Sequence, residues 1–315
     1  MDRFCIYYRE LILSYLFCLK LSIFLVIYTK LKRYFLKVFP FKIPKPELDA
    51  LVYQEDHEIV FYNQLHQHEE IQISYIVKGS GSLIVGDSIN YYKPNDILII
   101  GENIPHVFRS DSSVISESIM YSLFFTRSSF GKDFFNISDL LELSSFFNES
   151  VYGMKLLSHQ NEIIRYFQEM KMKNRIVRIA SLLNILNLII LAEKEQLSSF
   201  VYRKKYTDAE GKRMNDVFQY AMDHFNESIS LEEISQNANM SKNAFCRYFK
   251  NRTNKTFFQF LIEIRIENAC KLLYKEKDLS VALISEFCGF HNIANFNRKF
   301  KELKHMTPSQ YRSQF

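Results

Sequence analysis

The sequence has no tryptophan, only five cysteines and no C-x-x-C pair among its 315 residues. Cys5, Cys18, Cys246, Cys270 and Cys288 are scattered and odd in number. That argues against a disulfide framework and a thiolate zinc site, and for free thiols in a reducing compartment. The missing indoles do not leave the chain short of core material, because Phe occurs 29 times and Tyr 19 times. With 47% hydrophobic and 24% charged residues, the composition is that of a globular chain. The length suits two domains of ordinary size or one large one.

The N-terminal end lacks other things. Leu11 to Tyr28, LILSYLFCLKLSIFLVIY, holds no Gly or Ala and is nearly all apolar, broken by Lys20. No small-residue cleavage site follows it, which argues against a cleaved signal peptide. Its length is near the lower limit for a membrane span, and a central Lys costs about 2.5–3.5 kcal/mol on insertion scales. Arg3 and Arg9 precede it, and Lys30, Lys32 and Arg33 follow. Residues 1–39 therefore admit three readings: an extension from an upstream start codon with the true start near Leu36, a membrane anchor, or a helix lying on a surface. Membrane is a partner only if Leu11 to Tyr28 is present in the native protein and inserted.

The net charge is +5, unevenly spread. Residues 40–211 hold 17 Lys/Arg against 22 Asp/Glu, and residues 212–315 hold 16 against 11. An acidic middle followed by a basic end suggests a polyanionic partner for the basic end.

From Leu51 to about Thr126 the pattern is short β-branched and aromatic runs between turns. Strands are expected at Glu58–Tyr62, Ile71–Val77, Gly81–Val85, Ser88–Tyr92, Asp96–Ile100, His106–Arg109 and Ile119–Phe125. The breakers include Lys78-Gly79-Ser80-Gly81, Gly86-Asp87 and Lys93-Pro94-Asn95-Asp96. Seven short strands at this spacing mean a sandwich or small barrel. Residues 131–205 change to helical spacing and form a helical dimerisation or connector segment. Its strongest helix, Arg175 to Glu195, is apolar on most faces and must be buried within its domain or against another chain. Tyr202 to Lys212 is charged and turn-forming, and reads as a linker.

Within the strand region, His66-x-His68, Gln72 and Gly79 are followed by Pro94-Asn95-Asp96 and Pro105-His106. This resembles the cupin barrel, in which an H-x-H pair, an acid and a later histidine converge. Residues i and i+2 of a strand share a face, so His66 and His68 could point into a barrel, with His106 reaching them from a neighbouring strand. Three imidazoles and a carbonyl oxygen could hold a divalent metal. However, Gln72 stands where the acid is expected. Glu70 would share the histidines' face on a regular strand, but it is not the matching position. The favoured reading is an effector pocket lined by His66, His68, Gln72, Tyr75 and His106, with no metal and no cofactor.

The last hundred residues repeat one unit. Ser230 to Lys250, SLEEISQNANMSKNAFCRYFK, is matched by Ser280 to Lys301, SVALISEFCGFHNIANFNRKFK. In each, a Ser opens a helix as its N-cap. A tight turn then leads to a second helix carrying Phe245-x-Arg247-x-Phe249-Lys250 or Phe296-x-Arg298-x-Phe300-Lys301. Phenylalanines four apart share a core face, and the arginine between them points away from it. That is the layout of two helix-turn-helix units, joined by a helix over Phe257 to Leu273.

The residues resemble the AraC/XylS family of transcriptional regulators from about Met214 to Phe315. The likeness rests on Arg265-x-x-x-Ala269-x-x-Leu272-Leu273, Gly289-Phe290, the second Phe-x-Arg-x-Phe-Lys, and Thr307-Pro308 before Tyr311-Arg312. Departures are Met306 where a glycine usually precedes Thr-Pro, Asn254-Lys255 at the comparable turn of the first half, and Ala294 for a common serine. The resemblance implies base-edge contacts from Lys242, Asn243, Cys246 and Arg247, and from Ile293, Ala294, Asn295 and Arg298. Lys250, Arg252, Lys299 and Lys301 are the expected phosphate contacts. The expected architecture is a multi-domain α+β chain: a cupin-like sensor at 40–130, the helical segment at 131–205, and an all-α DNA-binding domain at 206–315. The expected function is a non-enzymatic, cytoplasmic, effector-responsive activator that binds double-stranded DNA as a homodimer and, by family analogy, works with RNA polymerase. The alternative is a metal-dependent cupin enzyme fused to a helical domain.

Overall fold

Strand alternation and helix capping account for most of the fold in the computed structural model, which describes residues 50–111, 117–201 and 208–314. The expectations for Leu11 to Tyr28 lie outside the described residues. Seven strands come first: β1 (Val52–Glu58), β2 (Ile71–Lys78), β3 (Gly81–Val85), β4 (Ser88–Tyr92), β5 (Ile97–Ile100), β6 (His106–Ser110) and β7 (Ser118–Phe125). Helix α1 (Leu143–Ser150), strand β8 (Met154–Leu156), helices α2 (Gln160–Met170) and α3 (Arg175–Leu191), and strand β9 (Lys194–Gln196) follow. The strands form two antiparallel sheets, ordered β1-β7-β2-β5-β8-β9 and β4-β3-β6. Six strands match their sequence-based expectation closely. The first does not: the strand is β1 at Val52–Glu58, and Ile59 to Tyr62 lies outside it. Pairing with β7 decides this, running from Val52 opposite Phe124 to Glu58 opposite Ser118.

The period of two along β2 divides two cores. Ile71, Ile73 and Tyr75 join Phe146, Phe167, Leu182, Leu186 and Ile189, so α1, α2 and α3 cover the outside of the larger sheet. Ile76 joins Leu83, Val85, Leu98, Ile100, Phe108 and Met120 between the sheets. Helix α3 buries one side only. Ile176 and Leu191 on it are exposed, and the chain leaves the helix at Ala192 to add β9 to the sheet edge.

The remaining helices are α4 (Asp208–Asp223), α5 (Leu231–Asn237), α6 (Lys242–Thr253), α7 (Phe257–Lys275), α8 (Val281–Phe287), α9 (Ile293–Lys304) and α10 (Pro308–Arg312). The segment expected to be a linker up to Lys212 is thus already helical from Asp208. Helix α7 contributes to two hydrophobic cores. Phe257, Phe260, Leu261 and Ile264 pack with Phe245 and Phe249 of the first unit. Ile266, Ala269, Cys270 and Leu273 pack with Phe296 and Phe300 of the second. A helix that serves two cores carries apolar residues on more than one side, which spreads them beyond a single stripe.

The caps repeat with the fold. Ser230 accepts from the Glu233 amide and Ser280 from that of Leu283. Asn254 (φ 55°) and His305 (φ 58°) end α6 and α9 in the left-handed region. Thr256 and Thr307 then open capping boxes with Gln259 and Gln310. Met306 is therefore harmless where a glycine is usual, because the positive φ falls on His305. Arg265 ties the end of α4 to the second unit by donating to the carbonyls of Phe225 and Glu227, both at 2.7 Å.

The C-terminal helical half also packs on the barrel. Leu65, Ile84, Ile89 and Val107 join the cluster of Met214, Val217 and Phe218 on α4. Around this contact, Arg109 meets Asp223 at 2.8 Å, and Lys271 meets Ser82 at 2.8 Å and Asp111 at 3.0 Å. Part of the C-terminal basic excess is thus spent on the acidic barrel.

Candidate functional site

Helices α6 and α9 each begin at a side-chain cap, which fixes where their first residues project. Ser241 accepts from the Ala244 amide, and Asn292 accepts from the amides of Ala294 (2.8 Å) and Asn295 (3.1 Å). Phe245, Phe249, Phe296 and Phe300 are fully buried. The opposite faces are exposed: Lys242, Asn243, Cys246, Arg247 and Lys250 on α6, and Ile293, Ala294, Asn295, Arg298 and Lys301 on α9. Ten of the twelve residues assigned to DNA from the sequence therefore lie on two solvent-facing helix surfaces. Because Asn292 satisfies two otherwise orphaned amides, Asn292→Ala should lower stability by about 1 kcal/mol. Urea unfolding of the full chain checks this, and an unchanged midpoint would count against the cap.

Some of these groups already hold one another. Arg298 donates to Asn295 Oδ1 at 2.9 Å and lies 4.0 Å from Glu302, and Lys242 pairs with Glu232. A contact from these residues to DNA replaces an exposed intrachain pair, which is worth little. Arg252 and Lys299 are placed differently from the phosphate role expected for them. Arg252 pairs with Glu210 and stacks over Tyr248, and partly buried Lys299 meets Glu302 at 2.8 Å. The sequence reading saw their charge but not the acids that α4 and the next turn bring to them.

The candidate pocket in the barrel centres on the three histidines. They do not sit on one regular strand. His66 forms an isolated bridge to His106, with main-chain bonds of 3.0 and 2.8 Å, and residues 67–70 are irregular up to β2. The rings nevertheless meet: ring centroids are 4.2 Å apart for His66 and His106 and 5.0 Å for His68 and His106. Each Nδ1 lies against a carbonyl oxygen, Gln64 for His66 (2.8 Å), Glu70 for His68 (2.9 Å) and Ile104 for His106 (2.8 Å). Burial holds all three imidazoles below the usual histidine range, His66 at about 3, with mutual repulsion adding to the effect on His66 and His106. They are neutral at neutral pH. From His68 a buried polar row runs through Gln72 and Ser74 to Ser122, with contacts of 3.2, 2.8 and 2.8 Å.

Tyr75, assigned to this pocket from the sequence, is not in it. It lies three residues beyond Gln72 and so on the other face of β2, packed against Phe167 and Tyr121. Glu70 is displaced too. Its carboxylate approaches His68 from the Nδ1 side at 3.9 Å, because the chain before β2 is not extended.

His66 and Gln72 border a cavity of about 440 Å³, whose wall also includes Gln54, Asp56, Glu58, Tyr62 and Met120. Burial pushes the Asp56 carboxyl up, against the hydrogen bond from Gln54. The sequence reading missed this acidic wall because it placed the first strand too late. The alternation Gln54, Asp56, Glu58 was the available signal for one polar strand face.

The segment that carries His66 also touches the C-terminal helical half. The Leu65 amide donates to Asn215 Oδ1 at 2.8 Å, and Asn215 Nδ2 donates to Gln64 Oε1 at 3.0 Å. Gln64, whose carbonyl holds His66, thus also holds the side of α4.

Comparison with known proteins places both halves. Residues 50–121 match the family profile of an AraC-like ligand binding domain, and residues 234–314 match that of a helix-turn-helix domain. Over 100 residues, 32% of the chain, the sequence is 32% identical to the uncharacterized HTH-type transcriptional regulator YdeC of Bacillus subtilis (strain 168). Over 100 residues it is 36% identical to the uncharacterized HTH-type transcriptional regulator SACOL0084 of Staphylococcus aureus (strain COL). These matches span 34% and 13% of the two relatives' own lengths. Among solved structures, the chain is similar to the DNA-binding domain of AdpA, a global transcriptional factor in complex with a target DNA. That match has 30% identity over 31% of this chain and 87% of that one, with a TM-score of 0.30. It is also similar to the C-terminal domain of AraT, a response regulator from Geobacillus stearothermophilus. Here the identity is 28% over 33% of this chain and 85% of that one, with a TM-score of 0.31.

Proposed function

We propose, for a chain that belongs to the AraC/XylS family of transcriptional regulators, that it binds double-stranded DNA by laying α6 and α9 in successive major grooves. The supporting observation is the doubled unit itself. Two helices present exposed Asn and Arg side chains over buried phenylalanine pairs, and one helix of 19 residues, about 28 Å at 1.5 Å per residue, joins their cores. That length is near the roughly 34 Å of one DNA turn. The contacts divide as Asn and Arg to bases, Ile293, Ala294 and Cys246 to thymine methyls, and Lys250 and Lys301 to phosphate. Sequencing-based mapping of DNA bound in cells tests this reading. A small set of enriched sites with two short conserved blocks is expected, and the absence of enrichment would overturn it.

The barrel cavity serves as the effector site, its carboxylates, imidazole and amide suiting a polar small molecule. Occupation shifts the Gln64–His66 segment, and Asn215 carries that shift to α4, altering how the readers are held. A homodimer forms over the exposed apolar side of α3, and the regulator acts as an activator in contact with RNA polymerase. Neither family profile describes a catalytic domain, and among the described residues no helix is long and apolar enough to cross a membrane. Asn215→Ala strands the buried Leu65 amide, at a cost of about 1–2 kcal/mol. It should also flatten any effector dependence of DNA binding. An unchanged unfolding midpoint would show that the contact does not hold the two halves together.

A further inference from the structure

The histidine cluster has a property that an effector wall does not require. In all three rings Nδ1 faces a carbonyl oxygen, which can only accept a hydrogen bond. Nδ1 therefore carries the proton in each ring, and the neutral tautomer places the lone pair on Nε2. A ligand nitrogen from each ring lies within 4.8 Å of the other two. The three rings thus bring ligand nitrogens together in one place inside the fold. His106 Nε2 is buried without a hydrogen-bond partner. Gln72 Oε1, another acceptor, lies 3.2 Å from His68 Nε2 while the Gln72 amide nitrogen donates to Ser74. Turning the Gln72 amide over would repair that one contact and leave His106 orphaned.

A cation answers all of these at once. We infer that His66, His68 and His106 form a binding site for one divalent transition-metal ion of the zinc, cobalt, nickel or ferrous class, with the Gln72 amide oxygen beside it. The donors decide the class. Imidazole suits these ions, whereas magnesium and calcium take oxygen ligands and usually carboxylates. The Nδ1–H bond to a backbone carbonyl is the bond that orients metal-ligating histidines. The cavity bordered by His66 and Gln72 gives the ion a way in. This reverses the weight given to the substitution of Gln72 for an acid. The site loses a charge there but keeps an oxygen, and three oriented nitrogens remain. The inference does not rest on the DNA-binding reading.

The test uses the full chain, stripped with EDTA and titrated with Co²⁺ and then Zn²⁺. Metal content, visible absorption and thermal melting are followed. One ion per folded chain is expected, with ligand-field bands that zinc removes and with a higher melting temperature. Exposed Cys246 could also take cobalt, but a thiolate would add sulfur charge-transfer absorption, which the histidine site lacks. His106→Ala should lose at least the roughly 10–100-fold in affinity that even an outer partner of a metal site is worth. His57→Gln, an exposed histidine outside the cluster, should keep wild-type affinity. Should His106→Ala fail to fold, Gln72→Glu decides the matter. A carboxylate beside the ion should tighten binding by about tenfold or more, which a merely structural glutamine would not produce. The inference is overturned if the folded wild type holds no stoichiometric ion, or if Gln72→Glu and a folded His106→Ala both leave affinity unchanged. DNA binding by the stripped protein, measured alongside, tests the regulator reading separately.

Discussion

Alanine at Arg247 or at Arg298 weakens binding to the chain's own upstream DNA by about 1–3 kcal/mol each, and the double variant loses about the sum. The expectation follows from placement. Both arginines lie on the solvent side of a helix whose other side is pinned by two buried phenylalanines, so neither supports the fold. A guanidinium fork on a guanine edge gives two hydrogen bonds, and alanine replaces neither. The two arginines lie on helices that pack into different hydrophobic cores, on opposite ends of α7, so their effects should add. Each variant should relax the site in one block and leave the other intact. Melting temperature should stay near wild type for both, apart from the weak exposed contacts of Arg298 with Asn295 and Glu302. Unchanged DNA affinity in both variants would remove the assigned base contacts.

The second large effect is expected at Gly289, and its cause is close approach as much as torsion. The residue turns the chain between α8 and α9 at φ 76°, and Asn239 turns it between α5 and α6 at φ 52°. Asparagine tolerates the left-handed region, so torsion alone would allow Asn at both turns. Position 289 differs because a Cβ there would sit 2.9 Å from the Cα and carbonyl oxygen of Asn226 and from the carbonyl oxygen of Phe225. Those are backbone atoms, fixed in turn by Arg265, and they cannot rotate away. Gly289→Ala should therefore cost about 2–4 kcal/mol, combining the left-handed penalty with overpacking. Gly289→Asn should cost nearly as much despite its tolerance of the torsion. Both should also lose recognition of the α9 block of the DNA site, because α9 is docked through this turn. Chemical denaturation measures the first effect. A Gly289→Asn protein as stable as wild type would show that only the torsion matters.

The C-terminal half was legible because its signals are local. Ser230 and Ser280, the phenylalanines four apart and Thr307-Pro308 act through residues three or four positions away, where spacing alone places them. The barrel was legible in its strand runs but not in its ends. The first strand differs because β7, whose residues pair with it from Ser118 to Phe124, sets its register. Tyr75 could have been set aside from its spacing to Gln72 alone. The contact between barrel and reader left one trace: Leu83-Ile84-Val85 is apolar without alternation, the mark of a sheet covered on both faces. What joins Ile84 in its hydrophobic cluster is the C-terminal half, through residues of α4 and α7, and only the folded chain shows that. The histidines were legible as a set, but the carbonyls that fix their tautomer come from backbone geometry that no residue type announces.

Helices α6 and α9 are proposed to read one face of a duplex together. Hydroxyl-radical footprinting of the wild-type chain on a mapped site tests it most directly. Two protected stretches about one helical turn, ~10 base pairs, apart on the same face are expected. Arg247→Ala should weaken protection in one stretch and Arg298→Ala in the other. A single protected stretch that both variants weaken equally, or protection spread around the duplex without a face, would contradict it.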